Sequence, residues 1–534
     1  MYIRVKRGGN QAHPHDYLQI VESYREGTSV RQRVIITLGR LDQLRADGQL
    51  DGLIKSLSRF SEALRVIEAS RIPEIDSCSS KLWGPALVFG RLWERQGIPK
   101  ILEGLVESPR LEFDLERVSF ALSLQRLMEP GSDLQGSRWV RRVEAPGFEK
   151  IELQHLYRGV GFLSDLRESL ETKLYLRDRN LFNQRLDLVF VDTTSTYMYR
   201  DGETPLWRRG HSRDHRSDLP QVILAIVVDR QGWPIAWEVM PGNRADGKAF
   251  QELIGILRRR FQIGRVIAVA DRGMVSEENL ELLTEDLESP FDYIVGCRMR
   301  RQREVTEEVL SRGGRYHEVS QKLKVKEVEV KGRRYVVCLN EEEAKKDKAA
   351  RDSMVKALEE KLAKGGPKVL VRNRGYARFL KARRGAWEID DEAVKKDERL
   401  DGKFVLRTTT KLSAEEVAQA YKGLWRVERT FREQKSTLEV RPIYHQRDRQ
   451  CVGHIMASFL ALRLEVDLQQ ALDERGIEVS WPDVMGDLKQ LQAVRMTLDG
   501  KNYLIRTDLV GSAYQAFLAA GVKIPPRVQP IGMA

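Results

Sequence analysis

Three acids far apart in the chain carry the strongest chemical signal: Asp192, closing the apolar run LDLVFVD; Asp271, closing RVIAVAD; and Glu428, inside YKGLWRVERTFREQK. Each alone is weak. An aspartate at a strand end is most often a turn former or a cap, and Glu428 with Arg432 makes an ordinary i,i+4 helical pair. Together they read differently. On a helix at about 100° per residue, Tyr421, Leu424, Trp425, Glu428, Phe431, Arg432 and Lys435 fall within about 60° of one another, so the acid shares a half-apolar face. A carboxylate held against apolar surface is costly unless it is paired or bound to a metal. Strand ends of open α/β sheets are where ligands bind, and three convergent carboxylates suit a hard cation, Mg²⁺ or Mn²⁺. Two such ions about 3.5–4 Å apart activate water on one side of a phosphate and stabilise the leaving oxygen on the other.

The elements that must position these acids follow from the apolar pattern. LDLVFVDTTS predicts a buried strand, QVILAIVVD a second, and DRQGW a hairpin into a third, PIAWEVMPG. A helix in AFQELIGILRRRF, a strand in RVIAVADRG, a helix in EENLELLTE and a strand in FDYIVGCR complete a mixed α/β sheet that is not simply doubly wound. Residues 299–400 break the pattern with two strands, KVKEVEV and RRYVVCLN, and a charged helix over 341–363, which reads as a β-rich basic insertion before the sheet resumes at KFVLRTT. Upstream, residues 1–40 read as short strands carrying Arg4, Lys6, Arg7, Arg25, Arg31, Arg33 and Arg40 against Asp16, Glu22 and Glu26, a pattern suited to a DNA-contacting arm or a solvated face. Residues 41–180 have helical periodicity, interrupted at Pro130-Gly131, and residues 450–525 read as helical with a short β portion near YLIRT. The expected organisation is therefore a basic β module (1–44), a helical domain (45–184), an α/β domain in two parts (185–298 and 401–460) around the insertion (299–400), and a C-terminal helical segment (461–534).

Composition agrees with a polyanionic partner. Lys and Arg total 90 against 78 acids, a formal charge of +12, spread along 534 residues; such an excess bears on partners and kinetics rather than on fold. Cys78, Cys297, Cys338 and Cys451 form no zinc-ligand spacing and read as reduced thiols. The apolar run VILAIVV is far shorter than the roughly 20 residues a membrane span needs, and MYIRVKRGG lacks a signal-peptide core, so a cytoplasmic, nucleoid-associated protein without membrane contact is expected.

VDTTS, the PGN of 241–243, ADRGM at 270–274 and YKGLWRVERTFREQK, in this order over roughly 185–460, resemble the DDE transposases of bacterial insertion sequences, specifically the group with a Tyr-Arg-Glu-Lys signature around the glutamate. The resemblance implies a ribonuclease-H-like fold, with Asp192, Asp271 and Glu428 as catalytic and metal-binding residues, holding two Mg²⁺ or Mn²⁺ ions, and a mostly β insertion before the glutamate. The spacings, 79 and 157 positions, accommodate it. Tyr421 and Lys435 stand seven residues before and after Glu428, as the signature has them, and are expected to contact DNA phosphates. The signature arginine does not match: Leu424 stands in its place. Arg426 and Arg432 are the alternatives, and Arg432 shares the helical face of Glu428.

Further DNA contacts are expected at Arg272, beside the second aspartate, and at Arg208 and Arg209 in LWRRGHSRDHRSDLPQ. His211 and His215 lack the additional ligands a zinc site needs. Thr193, Thr194 and Ser195 orient Asp192 or cap backbone rather than act as nucleophiles, Asn243 is a turn residue, and His445 is either an ordinary core histidine or a DNA contact. Trp207, Trp237 and Trp425 are aromatic candidates for holding a flipped base, a device of the resembling group. The expected function is transposition: cleavage at element terminal inverted repeats, then transfer of the freed 3′-hydroxyl into target DNA, by a homodimer pairing two ends. A DNA-binding derivative without cleavage, and a nuclease that does not join strands, are the alternatives.

Overall fold

The N-terminal strands form as the alternating pattern requires. Tyr2–Asn10 (β1), His13–Glu26 (β2) and Ser29–Arg40 (β3) make an antiparallel sheet in the order β1-β2-β3, with Leu18 and Val21 of the central strand buried. The computed structural model describes residues 1–10, 13–27, 29–58, 75–106, 111–182, 188–199, 202–210, 216–244, 246–261, 267–270, 280–281, 292–300, 302–320, 322–363, 374–383, 386–424, 443, 445–498 and 501–531. The chain divides into one unit of Met1–Gly84, Gly486–Ala513 and Lys523–Ala534, and a second of Pro85–Met485 with Tyr514–Val522. In the first unit the helical reading of residues after 45 fails at Ile75–Leu82 (β4), which is a strand.

In the second unit, Leu115–Met128 (α1) starts at the Asp114 cap and is buried nearly all round, and Leu153–Phe182 (α2) runs 30 residues beside it. Pro130-Gly131 does interrupt the helical run: the chain restarts at Ser132, whose capping box with Gln135 opens the helix Asp133–Val140. The sheet then begins with Leu188–Tyr197 (β5), Gln221–Asp229 (β6) and Pro234–Pro241 (β7), consecutive antiparallel strands. Asp229 closes the β6–β7 hairpin by accepting the backbone N–H groups of Gln231 and Trp233, both at 2.8 Å, while Gly232 takes the left-handed conformation at φ 87°. Asp246–Phe261 (α3) covers one face and leads to Ile267–Ala270 (β8) and Asp292–Gly296 (β9), which run parallel to β5.

The insertion extends this sheet. His317–Ser320 (β10), Leu323–Val330 (β11) and Arg333–Asn340 (β12) are followed by Glu341–Ala363 (α4), the hairpin Leu380–Arg383 (β13) and Ala386–Ile389 (β14), and then Lys403–Thr408 (β15). β15 pairs with β9 on one side and β12 on the other, giving one mixed sheet ordered β10-β11-β12-β15-β9-β8-β5-β6-β7. The insertion has its own small cores, one of Val305, Val309, Val328, Val330, Tyr335 and Val337 with Val405, another of Leu358, Phe379 and Leu380.

Ala414–Lys422 (α5), opened by the Ser413–Glu416 capping box, lies across β8, β9, β15, β12 and β11. Asp448–Asp473 (α6) runs through residue 460 without a break and packs against α1 and α2. Its apolar residues bury on all sides, as the residues of an internal bundle helix do. In the first unit, Gln492–Leu498 (β16), Lys501–Arg506 (β17) and Val528–Ile531 (β18) join the early strand in a sheet ordered β18-β17-β16-β4. The C-terminal segment thus carries more β structure than YLIRT alone suggests.

Candidate active site

β5 is the strand that organises the site. Its parallel register with β8 runs from Leu188 opposite Ile267 to Val191 opposite Ala270. Asp192 is the residue after Val191 in β5, and Ala270 is the last residue of β8 before the undescribed segment that begins at Asp271. The backbone of Asp192 is described; Asp271 with Arg272, and Glu428 with Arg426, Arg432 and Lys435, lie outside the described residues, as do Trp425, His211 and His215. One expectation changes here. Asp192 does not end its strand, because β5 continues five residues to Tyr197, paired with β6. The β-branched and hydroxyl residues Thr193–Thr196 suit that extension, and Thr193, Thr194 and Ser195 are buried in it.

The described residues on either side of Glu428 return to this same strand. α5 ends at Lys422, and the ladder tightens to i,i+3 bonds, Gly423 to Ala420 at 2.9 Å and Leu424 to Tyr421 at 3.1 Å. The continuous helical phase expected over 421–435 is therefore interrupted at Gly423, where glycine's low helix propensity and the tightened turn coincide. Gly423 lies on the ring of Phe190 in β5: a β-carbon there would stand 2.6 Å from Phe190 Cζ. Beyond the segment, Ile443 forms a parallel bridge with Met198, just past β5, and both are fully buried. Residue 192 is two positions from Phe190 and so has the same parity along the strand.

Tyr421 is half-buried rather than free on a surface. Its ring stacks on Phe404 of β15 with centroids 6.0 Å apart, and its hydroxyl covers Gly296 at the end of β9. A side chain at position 296 would collide with it. Arg208 and Arg209 are partly exposed, but both turn toward Glu203: Arg208 Nη1 stands 3.2 Å from its carboxylate, and the backbone N–H of Arg209 donates to it at 2.8 Å. These bonds hold the Glu203 carboxyl below its ordinary range, the Arg209 backbone bond first and the Arg208 side chain next. The loop is pinned further by a backbone pair between Arg208 and Gln221 and by Arg209 Nε donating to Asp218 O. Gly242 of PGN fits where the backbone oxygens of Gln221 and Arg208 leave no room for a β-carbon, and Asn243 stands in the turn as expected.

Other candidates resolve into the core. Trp207 and Trp237 are 0% and 1% exposed, so neither ring is open to a flipped base in this structure. Trp237 carries the Arg167 guanidinium over one face at 4.9 Å and packs on Phe459 of α6, contacts invisible to local sequence. His445 takes the core reading: its Nε2 lies 3.5 Å from the fully buried Asp133 and its ring meets His454 edge-on, while burial pushes its pKa below the ordinary imidazole value. In the N-terminal sheet, Arg7, Arg31, Arg33 and Arg40 each face a carboxylate, Asp16, Glu26, Glu22 and Asp42 respectively. Sequence reasoning missed a buried ion cluster joining α2, β7 and α3. Arg167 donates to Glu238 at 3.0 and 3.1 Å, and Arg260 to Glu171 at 2.7 Å. Burial pushes the Glu171 carboxyl up to about 8, against the pull of Arg167 and Arg260.

Two family models match the chain: the N-terminal domain of the IS1634 family transposases over residues 3–70, and the transposase DDE domain over residues 183–464. The second covers more than half of the sequence. The chain belongs to the DDE transposases of insertion sequences. It is accordingly an enzyme of DNA cleavage and strand transfer. No curated protein matches the chain. Among solved structures, the transposase is similar to the piggyBac transposase in a synaptic complex with hairpin DNA, at 10% identity over 76% of this chain and 79% of that one, with a TM-score of 0.38. Two Mos1 transposase structures each match 34% of this chain at 15% identity. The paired-end complex with the left transposon end is covered over 59% at a TM-score of 0.14, and the mariner paired-end complex with Mn over 60% at 0.13.

Proposed function

We propose that β7-β6-β5-β8-β9 is a ribonuclease-H-like catalytic core in which Asp192, Asp271 and Glu428 form the reacting centre, cutting at element ends and joining them to target DNA. The observation that carries this reading is the double return to β5. The chain leading to Glu428 rests on Phe190, the chain leaving it bridges Met198, and Asp192 lies between those two positions. In the sequence Asp271 follows Ala270, whose partner in the register is Val191, the residue before Asp192. Three antiparallel strands followed by two parallel ones reached through crossovers agree with the proposed core.

Three carboxylates are an all-oxygen donor set, which fits Mg²⁺ or Mn²⁺ and a pair of ions. Asp192, Asp271 and Glu428 would hold them, and the metals would supply activation of water and stabilisation of a leaving oxygen. The protein's own contribution is to present the acids from one strand level and one anchored segment, so that little reorganisation accompanies reaction. Lys435 with Arg432 or Arg426, together with Arg272, would hold phosphates beside the cut. Tyr421 would do so from a ring already fixed on Gly296 and Phe404. Arg208 and Arg209 would join after exchanging Glu203 for a phosphate. The N-terminal module and helical region would read the terminal inverted repeats, and a homodimer would pair two ends, acting on chromosomal DNA in the cytoplasm.

The test uses labelled duplexes made from the DNA on either side of the coding segment, where terminal inverted repeats are expected, with Mg²⁺ and a target plasmid. The parent protein is expected to nick, cut and join, and Asp192→Asn and Glu428→Gln each to lose at least about 10³-fold of cleavage while still shifting the duplex in a gel. Cutting without joined product would turn the reading to a nuclease. Undiminished cleavage by Glu428→Gln would remove that residue from the centre.

A further inference from the structure

Gly423 has ordinary right-handed backbone angles, φ −65° and ψ −12°, so any L-residue fits its conformation. What forbids a side chain is space. A β-carbon at 423 would lie 2.6 Å from Phe190 Cζ, 2.9 Å from Cε1 and 3.0 Å from Ala420 O. Phe190 is 1% exposed on β5 and has no room to retreat. Two residues earlier the same device recurs with the partners reversed: Tyr421 from the helix covers Gly296 of β9, where a β-carbon would lie 3.1 Å from Tyr421 Cζ. The end of the helix thus meets the sheet closely at two places, once where the Gly423 backbone lies on the ring of Phe190 and once where the ring of Tyr421 lies on the Gly296 backbone. A helix held only by apolar side chains can shift by fractions of an ångström as they repack; one seated through glycine on a buried ring cannot approach or slide without collision.

We infer that Gly423 and Gly296 are positioning residues for catalysis, setting the distance between the segment that carries Glu428 and the strand that carries Asp192. The inference rests on the carboxylate assignment above. Phe190, two residues before Asp192, is the gauge against which the lead-in to Glu428 is set. A methyl group at 423 must lift that lead-in from β5, and displacements on the order of an ångström at a reacting centre cost about 10²-fold in rate.

The experiment is a bump-and-hole series in the full chain: Gly423→Ala, Phe190→Leu and the double variant. Leucine lacks the Cε and Cζ atoms that the new methyl would strike. Nicking of the labelled inverted-repeat duplex at saturating DNA is measured beside calorimetric binding of Mn²⁺ alone, which needs no turnover. Gly423→Ala is expected to lower the nicking rate about 10–100-fold and to weaken Mn²⁺ binding, with duplex affinity within about twofold. The double variant is expected to return both quantities to within a few-fold of Phe190→Leu. Parent-like nicking and Mn²⁺ binding by Gly423→Ala overturns the inference, as does a folded double variant that recovers neither. A parent protein whose Mn²⁺ binding and nicking are untouched by Asp192→Asn overturns instead the carboxylate assignment, and the positioning role with it.

Discussion

Asp229 shows how one side chain serves the hairpin on which the sheet's order depends. It is 3% exposed, and burial raises its carboxyl to about 6, although the backbone N–H groups of Trp233 and Gln231 pull it down. Because the folded value lies above the unfolded one, near 3.8, protonation favours the fold. That contribution is complete below about pH 4 and is lost as pH rises through about 6. Asp229→Asn keeps an oxygen for the two N–H groups and removes the charge. Urea melts at pH 4.5 and 7.5 are expected to show the parent losing stability relative to the variant as pH rises. The difference has an upper bound of about 3 kcal/mol, from roughly two pKa units at 1.36 kcal/mol each. A parent and variant with parallel pH profiles would show that Asp229 is ionised throughout.

Among elements, the contact of α2 with α3 and β7 is unusual in being ionic within a buried setting. Arg260 lies between Glu171 at 2.7 Å, Glu168 at 2.8 Å and Glu238 at 3.8 Å. Removing one partner of a buried pair leaves an uncompensated charge, whereas removing both is far milder. At pH 9, above the value of about 8 to which burial pushes Glu171, Arg260→Leu is therefore expected to cost about 3–5 kcal/mol in chemical denaturation, and Arg260→Leu with Glu171→Leu to recover most of it. If the double variant is as unstable as the single, the pair's contribution is packing of the arginine stem rather than charge. The bundle and sheet share a second such tie, in which Arg463 of α6 donates to Asp178 of α2 at 2.9 Å and to Pro234 O of β7 at 2.8 Å.

At the scale of the whole molecule, chain order and spatial order diverge. β16 is the inner strand between β4 and β17, so residues near 80 are held by residues near 494. Ala493 is fully buried in β16, opposite Lys81 and Arg506. Ala493→Pro removes a backbone donor from an inner strand, where proline is not tolerated. Hydrogen exchange is expected to accelerate together in 75–82 and 501–506, though one lies more than 400 residues before the mutation. Acceleration confined to the C-terminal strands would show that β4 is held by other means.

The three antiparallel strands, the crossover helix α3, the charged helix at 341–363 and the family signature were legible in the sequence, because apolar period, turn residues and motif order are local properties. The sequence also supplied the proposal for the acids, two of them as carboxylates that follow apolar runs, a pattern visible without a fold. Only tertiary structure decided that β5 runs past Asp192, that β15 stands between β9 and β12 so the insertion continues the sheet, and that Ile75–Leu82 is a strand whose partner lies far downstream. Those outcomes depend on hydrogen-bond partners distant in the chain, for which a local pattern carries no signal. The same reason buries Trp207, Trp237 and His445. Gly423 is the sharpest case: in the sequence it is a weak helix former, and only the ring of Phe190 beneath it explains why no side chain stands there.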